Sequence, residues 1–266
     1  MDPRAMAQRK FEAPPVWTGL DLLARCATDP PMAIGTLIDA ARPDHVGEHR
    51  ICELGFGEGW LLEEFARAMP DAQLYGLDQS QSYVYRLREK LGDRVRVVRG
   101  DMEAPPFADR SFNVMVTCWT LYFMRDIDAA LESMKRCLRP HGRFVAATVA
   151  QDHMREYEDL VDEAVRRALG REREPDFSTR FDLQTGDAYM RRHFAHVELR
   201  EWRGVLTLPD ADTALQLWTA YRPDGLDAAE EAAPLIEYRR LTQELLRRDG
   251  EITVRRHDGA FVATDA

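Results

Sequence analysis

The sequence predicts an α/β fold on a doubly wound, mostly parallel sheet, and three observations predict it. Residues 50–60, RICELGFGEGW, read as a buried strand, a glycine loop and the first residue of a helix. Strand-like and helix-like stretches then alternate as far as residue 149. Asp78 closes the second strand about 20 residues beyond the loop, where sheets of this kind carry a carboxylate for ribose hydroxyls.

The elements follow in order. Residues 16–26 and 32–41 read as two helices, with Trp17, Leu20, Leu23 and then Ile34, Leu37, Ile38 at helical spacing and Arg42-Pro43-Asp44-His45 as the stop. The strand at 51–54 runs into Gly55-Phe56-Gly57-Glu58-Gly59. Glycine there permits positive φ and leaves no side chain between backbone and ligand, while the helix at 60–69 offers free N–H groups and a positive dipole end. Gln73 to Asp78 is the second strand, 82–91 an amphipathic helix, and Val95 to Arg99 the third strand, ending in Gly100-Asp101-Met102. Ser111 to Cys118 is the fourth strand, and Ile127, Leu131, Met134 and Leu138 share one helical face. A turn at 139–143 leads to a fifth strand at 144–149.

Composition bounds the function. A chain of 266 residues with 45% hydrophobic residues builds one good core and a small appendage. The net charge is −10, and the arginine pairs are scattered rather than clustered, which disfavours broad nucleic-acid binding and a DNA partner. No apolar run is long enough to cross a bilayer, so no membrane partner is expected. The N-terminus lacks the apolar stretch of a signal peptide, so the expected location is cytoplasmic. Cys26, Cys52, Cys118 and Cys137 are far apart and read as reduced thiols. His193 and His196 have no ligand-spaced Cys or carboxylate, so no metal is expected.

The loop spacing discriminates between ligands. A dinucleotide fingerprint needs glycines at G-x-G-x-x-G, and its third position here is Trp60, which argues against a nicotinamide-linked oxidoreductase. Glu53, just before the first glycine, suits an ammonium-bearing ligand better than a pyrophosphate. Glu53-Leu54-Gly55-Phe56-Gly57-Glu58-Gly59 resembles motif I of the class I S-adenosylmethionine (SAM) methyltransferases, E/D-x-G-x-G-x-G. Asp101-Met102 resembles the adenine-binding position of that family, and Leu138-Arg139-Pro140-His141-Gly142-Arg143-Phe144-Val145 resembles its L-x-P-G-G segment, with His141 in place of the first glycine. Asn113 departs from the family's usual F-D-x-V. The resemblance spans roughly residues 49–150 and is to the ubiquinone/menaquinone-biosynthesis-like group.

The resemblance implies a Rossmann-like sheet of seven strands, with an antiparallel C-terminal strand and helical lid insertions. Residues 197–208 and 251–263 would supply the last strands, the latter either as one strand broken by a bulge or as a hairpin around His257-Asp258-Gly259. Helices are expected over 151–169, 185–193, 210–221 and 228–248. Residues 1–48 would form an N-terminal helical cap, 49–150 the SAM-binding core, and 151–266 the remaining edge strands with lid helices, all in one continuous domain. The cofactor is SAM, with Glu53, Gly55, Gly57, Gly59, Asp78, Gln79, Asp101, Met102 and Cys118 as its expected contacts. Trp17, Trp119 and Tyr122 are expected to wall the acceptor pocket, and His153 and Tyr122 are the candidate catalytic bases. The activity implied is methyl transfer to O, N or C of a small molecule of natural-product type. A protein or RNA methyltransferase, and a SAM-binding protein without methyl transfer, are the alternatives. Oligomeric state is not legible.

Overall fold

The computed structural model describes residues 22, 25–27, 32–42, 49–174, 177–227 and 229–265. Most of the expected first helix lies outside them, as do Trp17 and Pro43 to His45. Strands β1 (Arg50–Leu54), β2 (Gln73–Asp78), β3 (Val95–Arg99), β4 (Phe112–Cys118), β5 (Leu138–Val149), β6 (His196–Leu208) and β7 (Ile252–Thr264) form one sheet in the order β3-β2-β1-β4-β5-β7-β6. The first five are parallel, and β7 runs antiparallel between β5 and β6. The strand order reverses at β1, so the crevice beyond its C-terminal end, flanked by β2 and β4, is where such sheets bind ligands.

Helices α1 (Met32–Ala41), α2 (Trp60–Ala68) and α3 (Gln81–Leu91) cover one face, and α4 (Ile127–Arg136) and α6 (Leu183–His193) the other. Strand alternation sorts the core. Ile51, Val114, Val145 and Val262 pack under the first set with Leu61, Leu62 and Phe65 of α2. Cys52, Met115, Phe144 and Phe261 pack under the second with Leu131 and Met134 of α4. The Arg143 guanidinium donates to the carbonyls of Ala40 and Arg42, satisfying the C-terminal end of α1. Ser80 caps α3 and Asp126 caps α4 through their side-chain oxygens.

Three expectations change. Residues 139–143 are an irregular part of β5 rather than a separate turn, with a register shift opposite Phe112 to Val114 and His141 at φ 60°. Asn113 serves this junction: its amide oxygen accepts from the Arg50 N–H and from Arg139. Residues 251–263 are neither bulged nor a hairpin. The β6–β7 register runs unbroken from His196↔Thr264 to Leu208↔Ile252. Gly259 is there for close packing, since a Cβ would sit 3.0 Å from the Arg200 carbonyl oxygen and 3.0 Å from Leu183. Finally, the helix expected from 151 starts later, as α5 (Arg155–Leu169), because residues 151–154 form a turn bonded to β7 through Met154 N–H and Arg255 C=O.

The length of β6 and β7 positions the rest. Pairing of β5 with β7 ends at Val149↔Asp258, whereas β6 and β7 remain paired for the stretch beyond. That ribbon therefore projects past the C-terminal edge of the parallel strands. It carries a third apolar cluster, in which Leu206, Leu208, Ile252 and Val254 are buried against α5, α7 (Ala211–Tyr221) and α8 (Ala232–Asp249) through Tyr157, Val161, Trp218 and Tyr238. Arg173, almost fully buried, pairs with Glu158 and Asp162 of α5. No helix among the described residues is long and apolar enough to cross a membrane.

Asp182 joins the start of α6 to the turn after β5. Its carboxylate accepts from the Gln184 and Thr185 N–H groups in a capping box and from the Gln151 side chain at 3.0 Å. Asp182→Ala is expected to lose about 2 kcal/mol of stability, read in guanidinium titration as a lower midpoint with an unchanged slope.

Candidate active site

The three loop glycines divide by what surrounds them. A Cβ on Gly55 would lie 2.7 Å from Thr120 Cγ2, and one on Gly59 would lie 2.4 Å from Leu87, so both are required by packing. A Cβ on Gly57 would meet nothing within 4 Å among the described residues, although φ there is +52°. Gly57 is thus the glycine that faces open space. The loop is tied to the end of β2: Gly57 N–H donates to Asp78 Oδ2 at 2.9 Å and Gly55 N–H donates to the Leu77 carbonyl at 2.7 Å.

Asp78 also accepts from the Ser80 N–H at 2.8 Å, so its two oxygens join the loop to the start of α3. Each carboxylate oxygen keeps further lone-pair capacity. Gln79 beside it is exposed, and its carbonyl accepts from Arg99. At the end of β3, Asp101 Oδ1 accepts from the Glu103 N–H at 2.9 Å, and the Met102 sulfur lies 3.4 Å from the position of a Cβ on Gly55. The expected contacts from β1, β2 and β3 therefore surround one crevice.

Glu53 is 2% exposed, and its Oε2 has no hydrogen-bond partner among the described residues. Burial and the charge of Asp78 push its carboxyl well above the usual range, against a smaller opposing hydrogen bond from the Leu62 backbone. Cys118 at the end of β4 is pushed well up by burial and by Glu53, so it is an unreactive part of the wall rather than a thiolate.

Beyond β4 the chain turns through Trp119, which takes φ +52° without being glycine, a costly conformation that concentrates at functional sites. Thr120 Oγ1 secures the turn by donating to the Cys118 carbonyl at 2.9 Å. The Trp119 ring lies 6.1 Å from that of Trp60, and both pack on the α1–α3 face. Tyr122 packs instead with the cluster of the opposite face, edge-on to Phe123. His193 bonds Asp128 and joins α6 to α4.

His153 lies just past β5 and is held by β7. Its Nδ1 is 3.2 Å from the His257 backbone nitrogen and 3.5 Å from Asp258 Oδ2. Asp258 is 1% exposed and also meets Arg256 at 3.2 Å. His257 in turn lies between Asp152 and Glu201, at 2.6 Å from each. None of Trp60, Trp202, Arg256, His257 or Asp258 is marked by a motif. Only period-2 alternation along β7, which puts 256 and 258 on one face, signals any of them in advance.

Residues 52–146 match the family model described as "Methyltransferase domain". Among curated proteins, the chain is 26% identical over 122 residues to a malonyl-[acyl-carrier protein] O-methyltransferase of Halorhodospira halophila, covering 45% of this chain and 41% of that protein. It is 37% identical over 116 residues to a demethylmenaquinone methyltransferase of Roseiflexus sp., covering 43% and 46%. The match thus spans less than half the length of either relative. Among solved structures, the YcgJ protein of Bacillus subtilis is similar in fold, with a TM-score of 0.57, 18% identity, and 88% of this chain and 99% of that chain covered.

The electrostatics of Glu53 have a measurable sign. A carboxyl whose folded pKa is raised favours folding fully below its unfolded value, about 4.3, and loses that contribution as pH rises toward the folded value. In ligand-free protein Glu53→Gln should therefore be the more stable form near about pH 8, by on the order of 1–3 kcal/mol, and the difference should vanish near about pH 4. Thermal melts of both forms across this range check it.

Proposed function

We propose, from a methyltransferase domain at residues 52–146 seated on this sheet, that the chain transfers a methyl group from SAM to an oxygen, nitrogen or carbon atom of a small-molecule acceptor. The observation that carries the reading is the crevice at the strand reversal. Gly57 leaves a Cβ-sized space open there, and a buried carboxylate oxygen of Glu53 lacks a partner beside it. SAM matches this donor set. Its ammonium suits Glu53, its ribose diol suits the remaining lone pairs of Asp78, and its adenine suits Asp101 with Met102 against the ring. Gly55, Gly59, Gln79 and Cys118 complete the contacts as backbone or wall.

When bound, SAM supplies a methyl group activated by a sulfonium. The protein's own work is alignment and exclusion of water. Trp60 and Trp119 wall the crevice on one side, and α5, α7 and α8, packed around the projecting ribbon, supply the lid. His153 is held by β7 with a carboxylate behind it, an arrangement that suits a general base. For a hydroxyl acceptor, the proton passes to the imidazole as the oxygen takes the methyl group. Tyr122, packed on the opposite face, has the weaker claim to such a role.

Calorimetric titration with SAM tests the assignment. Gly57→Val fills the open space, and Asp78→Ala removes both the diol partner and the tether of the loop. Each should weaken binding by at least about tenfold. Unchanged affinity in both variants would refute the site.

A further inference from the structure

We propose that Trp202, Gly204 and Arg256 form a subsite for a carbonyl or carboxylate oxygen of the methyl acceptor, next to His153. The inference rests on the methyl-transfer reading and names the acceptor's chemical class: a hydroxyl or carbon acid placed beside a carbonyl-type oxygen.

Two buried donors carry it. Trp202 is 6% exposed and its Nε1 has no hydrogen-bond partner among the described residues. The Nε of Arg256 is likewise buried and unpartnered, while the far end of that guanidinium meets Asp258 Oδ2 at 3.2 Å. Buried N–H groups are paired in the great majority of cases, because an unpaired one loses its hydration without replacement. Two such losses on adjacent strands are a sign of a missing ligand. Both groups only donate, so what completes them is a lone pair. Asp258 already offsets the Arg256 charge, which leaves room for an uncharged carbonyl as well as for a carboxylate.

The register brings the two together. Trp202 is opposite Asp258, and Gly204 is opposite Arg256. Side chains alternate along each strand, so Trp202, the Cβ direction of Gly204, Arg256 and Asp258 share one face. Diagonal neighbours such as Trp202 and Arg256 have Cα atoms about 7–8 Å apart, within reach of one oxygen for two long side chains. Between them Gly204 carries no side chain, and a Cβ there would meet nothing within 4 Å among the described residues. Gly204 itself is partly exposed.

The position is that of an acceptor. Arg256 lies beyond the last β5–β7 pair, Val149↔Asp258, on the ribbon that overhangs the ligand edge of the sheet. Trp202 belongs to the apolar cluster of the α1–α3 face, against which Trp60, just after the glycine loop, and Trp119, just after β4, also pack. His153 Nδ1 is 3.5 Å from the same Asp258 oxygen that holds Arg256. An oxygen bound by the two donors would be polarised beside that imidazole, lowering the pKa of a conjugated hydroxyl or carbon acid.

The test titrates the chain, with and without S-adenosylhomocysteine, against 2-hydroxybenzoate and 2-hydroxyacetophenone. One probe offers a carboxylate and the other a ketone beside the same hydroxyl. At least one should saturate the parent protein, and which one does identifies the oxygen. Trp202→Phe and Arg256→Lys should each weaken it by about tenfold, and Gly204→Val should abolish it, with S-adenosylhomocysteine affinity unchanged within about twofold. Binding of neither probe, or equal binding in all three variants, overturns the subsite. If the parent fails to bind S-adenosylhomocysteine, the methyl-transfer reading falls, and the same losses in the cofactor-free arm still support an oxygen subsite.

Discussion

The carboxylate of Asp78 makes the bonds on which the crevice at the strand reversal depends. One oxygen takes the N–H of Gly57 and the other that of Ser80, so a single side chain at the end of β2 fixes the loop after β1 and the first turn of α3 together. Both donors are backbone groups next to a helix start, where they would otherwise lack partners. The loop could not hold three positive-φ glycines in one arrangement by its own chain stiffness. Its shape is imposed from the neighbouring strand, and the space over Gly57 follows from it.

Around that joint the charges are arranged unequally. Asp78 is satisfied by backbone donors, whereas Glu53, close enough to feel it, is buried with one oxygen unpartnered. A crevice with one settled and one unsettled carboxylate is biased toward a cation in one part and a hydroxylated group in the other. The same pattern recurs on the ribbon with opposite sign, where Asp258 settles part of Arg256 while one guanidinium N–H and the Trp202 indole stay unpartnered. Among the described residues, three of the buried polar atoms without a hydrogen-bond partner, on Glu53, Trp202 and Arg256, thus belong to the loop side and the ribbon side of the sheet.

How much of this could be read from the chain alone depends on sequence distance. Strands β1 to β4 were legible because alternation, glycine and acidic strand ends lie within short windows. The places of Asp78 and Asp101 at the ends of β2 and β3 were legible for the same reason. The loop glycines were identified together, but their different tasks were hidden, because the groups that crowd Gly55 and Gly59, Thr120 and Leu87, belong to other elements. His257-Asp258-Gly259 read from its composition as a bulge in one strand or the turn of a hairpin. It is strand, because Gly259 is needed for the approach of the Arg200 carbonyl. Trp202 and Arg256 were illegible, since only the pairing of two strands separated by α7 and α8 makes them neighbours.

The overhanging ribbon has a consequence for how this architecture can vary. Its outer end is packed by helices whose lengths and loops can drift freely. Its inner end keeps Trp202 and Arg256 on the inward side only while the strand-to-strand count is conserved. A single inserted residue in either strand would rotate every later side chain to the other surface. Variation at this end of the fold is therefore channelled into the helices and into exchanges at fixed positions, with changes in strand length confined to compensated pairs.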